Sequence, residues 1–156
     1  ALTRDDGPVA LALTRQNLDV LTGADIEQQA LRGGYVVADS EGAPELVIVA
    51  TGSEVSISLE AARGLSGEGR KVRVVSVPCL EVFLAQDAAY REQVLGSAVR
   101  LLVEAGVPHG LALLTRPGDQ FHGMHGFGAS ANFKKLAEHF GFTGPAVTAA
   151  ARKLLK

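Results

Sequence analysis

The sequence has no tryptophan, a single cysteine and only 5 % aromatic residues. One cysteine, Cys79, excludes an internal disulfide and suits a reducing compartment, so we expect a cytoplasmic protein. A net charge of −2 and the scarcity of aromatic rings argue against a nucleic-acid-binding surface. The longest apolar runs have strand length, so we expect no membrane-spanning segment. The opening ALTRDDGP also lacks the apolar stretch of a signal peptide.

Short apolar runs alternate with helical patterns from about residue 35 onward. Such alternation predicts an α/β fold with a parallel sheet that helices cover on both faces. The runs that we interpret as strands are YVVAD (35–39), ELVIVA (45–50), VRVVSV (72–77), VRLLVEA (99–105) and a strand end within 121–128. Polar residues before the helical patterns predict three helix caps, at Asp87, Ser130 and Thr143.

An apolar run near the start, VALALT (9–14), predicts a strand that is buried on both faces. About 20 largely polar residues separate it from the next strand. Because a buried strand needs neighbours on both sides, we interpret residues 1–32 as part of a different domain.

The stretch IVATGSEV (48–55) has the outline of a phosphate-binding turn, with a strand, a glycine and a helix start. However, Glu54 already supplies the negative charge that a helix N-terminus favours. Neither the lysine of a P-loop nor a second glycine follows. We therefore interpret Thr51-Gly52-Ser53 as a capped strand-to-helix turn.

The segment Gly126 to Ala131 formally matches the dinucleotide fingerprint G-x-G-x-x-A. No convincing buried strand precedes it, and no strand ending in Asp or Glu follows. We therefore interpret these glycines as residues that permit close packing around the start of a helix.

His122 and His125, with His109 and Asp119 nearby, could supply zinc ligands, although their spacing is not that of a helical pair. Cys79 follows a strand, at the edge of the sheet where α/β sites gather, but the sequence offers no basic partner to activate it. We favour structural roles for all of them.

Arg15 follows the carboxyl end of the 9–14 run, within Thr14-Arg15-Gln16. Its planar fork suits bidentate binding of a phosphate or carboxylate. A domain-interface ion pair is the alternative.

Seven segments, taken together and in order, resemble the carboxyl-terminal region of the transketolase family. They are GPVALALTRQNL (7–18), LRGGYVVAD (31–39), PELVIVATGSEV (44–55), VRVVSVPC (72–79), QDAAYREQVL (86–95), VEAG (103–106) and GMHGFGASA (123–131).

The resemblance implies a homodimeric enzyme that moves a two-carbon ketol unit between sugar phosphates, with thiamine diphosphate and a divalent metal (Mg or Ca) as cofactors. It implies that residues 1–32 are the tail of the pyrimidine-binding domain. Residues 33–156 would be the carboxyl-terminal domain, a three-layer α/β/α sandwich around a mostly parallel, five-stranded mixed sheet.

Arg15 matches the arginine of the family's Ser-Arg-Gln motif, which grips the substrate's phosphate; here Thr14 replaces the serine. No cofactor-binding or metal-binding residue carries over, because the Gly-Asp-Gly motif is absent: Gly118-Asp119 is followed by Gln120. No catalytic residue carries over either, because the four histidines match none of the family's active-site motifs. We expect no cofactor in this chain, and a structural, dimer-supporting role. The alternatives are a dihydroxyacetone synthase, a 1-deoxyxylulose-5-phosphate synthase, or a free-standing nucleotide-binding or regulatory module.

Overall fold

The computed structural model describes residues 5, 7–23, 25–108 and 110–155. Its elements are α1 (Ile26–Ala30), β1 (Tyr35–Ala38), β2 (Leu46–Ala50), α2 (Glu54–Gly67), β3 (Val72–Ser76), α3 (Leu80–Leu84), α4 (Ala88–Leu95), β4 (Val99–Glu104), a 3₁₀ turn (Leu111–Leu114), β5 (Gln120–Gly123), α5 (Phe133–Phe140) and α6 (Gly144–Leu154).

The five strands form one sheet in the order β1-β3-β2-β4-β5. Strands β3, β2, β4 and β5 are parallel, and β1 pairs antiparallel to β3 with a register shift between Val36 and Ala38. The expectation of a mostly parallel, five-stranded mixed sheet is therefore confirmed.

Helices cover both faces of the sheet. Alternate residues of the central strands point to opposite sides, as the twofold period of a strand requires. Ile48 and Leu101 pack with helices α2 and α6, whereas Val49 and Leu102 pack with α3, α4 and the 3₁₀ turn. The three-layer sandwich expected from the sequence is present.

The predicted caps are right in two cases and wrong in one. Asp87 accepts from the Tyr90 amide, and Thr143 accepts from the Ala146 amide. Ser130 does not cap α5, because that helix begins later, at Phe133, and Asn132 accepts from the Lys134 amide. Both Asn and Ser are good N-caps, so the position at which the backbone enters the helix decides which of the two residues is the cap.

The predicted strand over 9–14 is wrong: residues 7–23 contain no helix or strand. Leu11 and Leu13 are 70 % and 82 % exposed, and Val9 and Val20 are also exposed. An apolar strand is stable only between hydrogen-bonding neighbours. The part of the chain that the structure describes offers this segment none.

No helix in the described ranges is both long and apolar enough to cross a membrane.

A closely packed junction joins the backbone directly before β1 to the start of α3. Gly33 has φ +81°, and a Cβ there would lie 2.5 Å from the Cys79 carbonyl oxygen. The Gly33 carbonyl accepts from the Cys79 amide at 3.1 Å, and the Gly34 carbonyl accepts from the Tyr90 hydroxyl at 2.8 Å. The side chain of Phe83 is fully buried against this junction, edge-on to the Tyr90 ring. The backbone can approach so closely only because residue 33 lacks a side chain.

We expect Gly33→Ala to destabilise the fold strongly. A positive φ costs an alanine about 1–2 kcal/mol, and overpacking against backbone adds about 1–3 kcal/mol. Gly69→Ala is the matched control, since Gly69 also has φ +81° but a Cβ there would meet no atom within 4 Å. Urea unfolding should show the larger loss for Gly33→Ala; equal losses would mean that the close approach does not matter.

Candidate functional site

The carboxyl edge of the sheet has one point where ligands commonly bind in α/β folds. Strand β2 connects through α2 to β3 on one side, whereas β4 connects to β5 on the other. Because these two neighbouring strands lead in opposite directions, a crevice forms between their carboxyl ends. We call this the switch crevice; it is bordered by Thr51-Gly52-Ser53 after β2 and by Glu104 at the end of β4.

The protein's own side chains bridge the switch crevice. The hydroxyl of Thr51 donates to the Glu104 carboxylate across the two strands. The hydroxyl of Ser53 donates to Oε1 of Glu54 at 2.9 Å, so it does not cap α2, although Ser53 is the N-cap residue. Two carboxylates thus lie beside the first turn of α2.

Glu54 is 8 % exposed, and its burial raises the pKa of its carboxyl. The negative charge of Glu104 raises that pKa further, while the hydrogen bond from Ser53 opposes the rise. A phosphate here would meet two acidic groups at short range. The arrangement agrees with our interpretation of 51–54 as a structural turn, although the cap that we expected there is not made by Ser53.

The glycine-rich segment 126–131 does not form a dinucleotide turn. Strand β5 ends at Gly123 and α5 begins only at Phe133, with an exposed loop between them. A pyrophosphate site needs a short turn that leads directly from strand to helix. The spacing in this chain is therefore too long for that geometry.

His122 and His125, the two histidines of the zinc hypothesis that the structure describes, have different surroundings. Nε2 of His122 donates to the Gly141 carbonyl at 2.8 Å, and its ring packs edge-on against Phe142. His125 lies in the exposed loop, and His109 falls outside the described residues. Among the residues described, no three His, Cys, Asp or Glu side chains are grouped closely enough to hold a metal ion.

Cys79 lies at the N-terminus of α3, with Sγ 3.7 Å from the Glu81 carboxylate. A carboxylate supplies no positive charge to stabilise a thiolate. The geometry agrees with a structural thiol.

Arg15 is exposed in the 7–23 segment, beside a cleft of about 1000 Å³. The opposite wall comes from the start of α2, with Ser53 and Ser56, and from the start of α5, with Lys134. The Gln16 amide donates to the Thr14 hydroxyl at 3.1 Å, which shapes the backbone beside Arg15. The sequence did not indicate Lys134 as a neighbour of this cleft, because more than a hundred residues separate it from Arg15.

The family model described as "Transketolase-like TK C-terminal domain" matches residues 33–143, well over half of the chain. The chain belongs to the transketolase family. It is 47 % identical over 158 residues to transketolase 2 of Escherichia coli K12, a match that covers 99 % of this chain and 24 % of that relative. Transketolase 1 of Vibrio vulnificus YJ016 is 45 % identical, with the same two coverages.

Solved transketolases have the same fold in their matching part. A Pichia stipitis transketolase, whose structure is a complex with xylulose 5-phosphate, superposes with a TM-score of 0.81 at 36 % identity. That match covers 90 % of this chain and 20 % of the other. The Leishmania mexicana transketolase gives a TM-score of 0.74 at 43 % identity, over 81 % of this chain and 18 % of the other.

The chain therefore spans about a quarter of the length of these curated relatives. The Gly-Asp pair, which is the one partial match to the family's Gly-Asp-Gly motif, is engaged by the protein's own backbone. The carboxylate of Asp119, in the single Gly-Asp pair, accepts from the amides of Arg100 and Arg116, both at 2.8 Å, and is thus used within the fold.

We expect the stability of the chain to depend on pH through Glu54. The pKa of Glu54 is raised in the folded state above its ordinary value of 4.5, so the folded wild type gains stability as protons bind between the two values. Above that window the fold carries the cost of a buried carboxylate, which Glu54→Gln removes. The stability advantage of Glu54→Gln should be largest near neutral pH and should shrink on acidification.

Urea unfolding from neutral pH to about pH 4.5 measures this dependence. Glu138→Gln, an exposed substitution on α5, is the matched control and should not change the pH profile. A constant difference between Glu54→Gln and the wild type across the range would contradict the assignment.

Proposed function

We propose that this chain is the carboxyl-terminal part of a transketolase. The full-length enzyme would transfer a two-carbon ketol unit between sugar phosphates in the pentose phosphate pathway. The observation that carries this proposal is the 47 % identity to an E. coli transketolase over 99 % of the chain. The proposed activity is that of these relatives.

The chain's own role in this proposal is structural and dimer-supporting, within a cytoplasmic homodimer. Thiamine diphosphate and a divalent metal, Mg or Ca, would be held by residues outside it. Two observations support this division. The switch crevice is bridged by Thr51 and Glu104, and the carboxylate of Asp119 is bound to backbone amides.

We further propose that residues 1–32 are the tail of the preceding, pyrimidine-binding domain and that 33–156 form the carboxyl-terminal domain. The exposure of Leu11 and Leu13 supports this boundary, because apolar side chains are expected to be covered by the domain to which they belong. Residues nearer the boundary contact the second domain: Leu21 packs against its core, and the Arg32 guanidinium lies 3.2 Å from the Tyr90 ring centroid. These contacts suit a connection that runs along the domain surface.

Arg15 is the residue that we propose to bind the phosphate of the sugar substrate. Its guanidinium offers a planar pair of donors that matches a phosphate. Its exposure in this chain leaves that fork available, and Lys134 adds a second positive charge to the same cleft.

In the full-length enzyme, numbered as here, Arg15→Ala should raise the KM for phosphorylated ketoses about 10- to 100-fold, the worth of charge-assisted hydrogen bonds. The kcat should change little, because a phosphate remote from the reacting carbon contributes uniform binding. The KM for an unphosphorylated ketose should be nearly unchanged. Arg63→Ala, an exposed arginine on α2, is the control, and an unaltered KM in Arg15→Ala would remove Arg15 from the substrate site.

The 156-residue chain by itself should not bind thiamine diphosphate. Isothermal titration in the presence of Mg²⁺ or Ca²⁺ should give no saturable heat, since the cofactor-binding residues lie elsewhere in this proposal. Tight binding would contradict the proposal that the active site lies outside this chain, whereas the family assignment would be unaffected.

A further inference from the structure

Three arginines line one cavity of about 300 Å³ at the amino end of β4, the edge of the sheet opposite the switch crevice. They are Arg91 on α4, Arg100 on β4 and Arg116 after the 3₁₀ turn. We call this the arginine cavity. None of these residues belongs to the motifs that the sequence analysis considered as sites.

The hydrogen bonds that the three guanidinium groups donate within the described residues go to backbone carbonyls, which are neutral. Arg100 donates to Leu114 O at 2.7 Å and to Gly96 O at 3.1 Å. Arg116 donates to Ala98 O at 2.6 Å, and Arg91 donates to Leu84 O at 3.1 Å. These bonds hold the chain between α4 and β4, but a carbonyl dipole does not neutralise a full charge.

The acidic groups nearby do not balance the three cations. Asp119 lies 3.7 Å from Nε of Arg116, yet both of its oxygens already accept from backbone amides. Among the described residues, Glu92, which is exposed, is the carboxylate that lines the cavity itself. Three guanidinium groups therefore face two carboxylates, one of which is shared with the backbone.

The guanidinium of Arg100 keeps one N–H donor that no acceptor in the described fold pairs. Its residue is 7 % exposed, and its Nε is buried without a hydrogen-bond partner. A buried donor of a charged group that stays unpaired carries a desolvation penalty, so the fold leaves the charge of Arg100 incompletely compensated. Burial, and then the nearby charge of Arg116, lower the pKa of Arg100, while the charge of Asp119 partly opposes this lowering.

We propose that the arginine cavity binds a small dianion of the phosphate class, either inorganic phosphate or the phosphate group of a small metabolite. A tetrahedral dianion accepts hydrogen bonds from several directions, which suits guanidinium groups that come from three separate elements. The volume admits a phosphate and a short carbon chain. The site is independent of Arg15 and of the proposed transketolase activity.

The test is isothermal titration of inorganic phosphate into the 156-residue chain, at an ionic strength kept constant with sodium chloride. We expect saturable binding with one site per chain, and a rise in Tm that grows with phosphate concentration. Arg91→Gln and Arg116→Gln should each weaken binding about tenfold or more, since each removes a charged donor. Arg91 is half-buried and Arg116 is exposed, so both variants should fold; Arg100 itself is too buried for a clean substitution.

Two control variants and a second ligand complete the experiment. Arg152→Gln, on α6, removes an exposed ion pair with Glu68 and should leave phosphate binding unchanged. Arg15→Ala should also leave it unchanged, which separates this cavity from the proposed substrate cleft. Tighter binding of glycerol 3-phosphate than of inorganic phosphate would identify a phosphorylated metabolite as the ligand; equal binding would identify the phosphate group alone.

The proposal is overturned if no saturable heat appears up to about 10 mM phosphate, a range that reaches millimolar dissociation constants. It is equally overturned if Arg91→Gln and Arg116→Gln both bind phosphate as the wild type does.

Discussion

The central constraint of this structure is that strand β2 is apolar on both faces. All five of its residues, Leu46–Ala50, are completely buried. Such a strand needs hydrogen-bonding neighbours on both sides and a covering layer above and below. Strands β3 and β4 supply the neighbours, and α2 with α6 on one face and α3 with α4 on the other supply the cover. The strands and helices around β2 thus meet the need of one short strand to be paired on both sides and covered on both faces.

The same strand places the acidic crevice. Because β2 and β4 are adjacent but lead to strands on opposite sides, their carboxyl ends border a gap where other α/β proteins bind ligands. In this chain the gap is spanned by Thr51 and Glu104. The buried carboxylate of Glu54 adds negative charge to it, so the switch crevice itself is poorly suited to anions. The arginines lie at the opposite edge, where β4 begins.

Much of the fold could be predicted from local sequence patterns. Local patterns alone give the continuous apolar runs of the central strands and the apolar spacing of Val55, Leu59, Ala62 and Leu65 in α2. The structure buries the strands and three of these helix residues, while Leu59 packs partly buried against the core. The strand predicted over 9–14 was wrong, because an apolar pattern shows which side chains a segment would bury but not whether a neighbouring strand is present. Ser130 and Asn132 are equally good caps by type, and only the path of the loop separates them.

The site geometry was less predictable because it depends on residues that are distant in sequence. Thr51 and Glu104 are 53 positions apart and meet through the parallel register of β2 with β4. Arg91, Arg100 and Arg116 come together only after α4, β4 and the 3₁₀ turn have packed. No spacing rule in the sequence indicates such contacts. The resemblance to the transketolase family identified the family of the chain, but it did not indicate these long-range contacts.

The register shift in β1 also has a consequence for how this chain behaves at high concentration. An exposed sheet edge that is regular and flat attracts strand-forming segments from other molecules. Residues 9–14 have the apolar sequence pattern of such a segment, and Val9, Leu11 and Leu13 are exposed. The edge strand β1 is only four residues long and is irregular between Val36 and Ala38, so it is a poor template for pairing. The β1 edge is thus a poor acceptor for the apolar 9–14 segment of a neighbouring molecule.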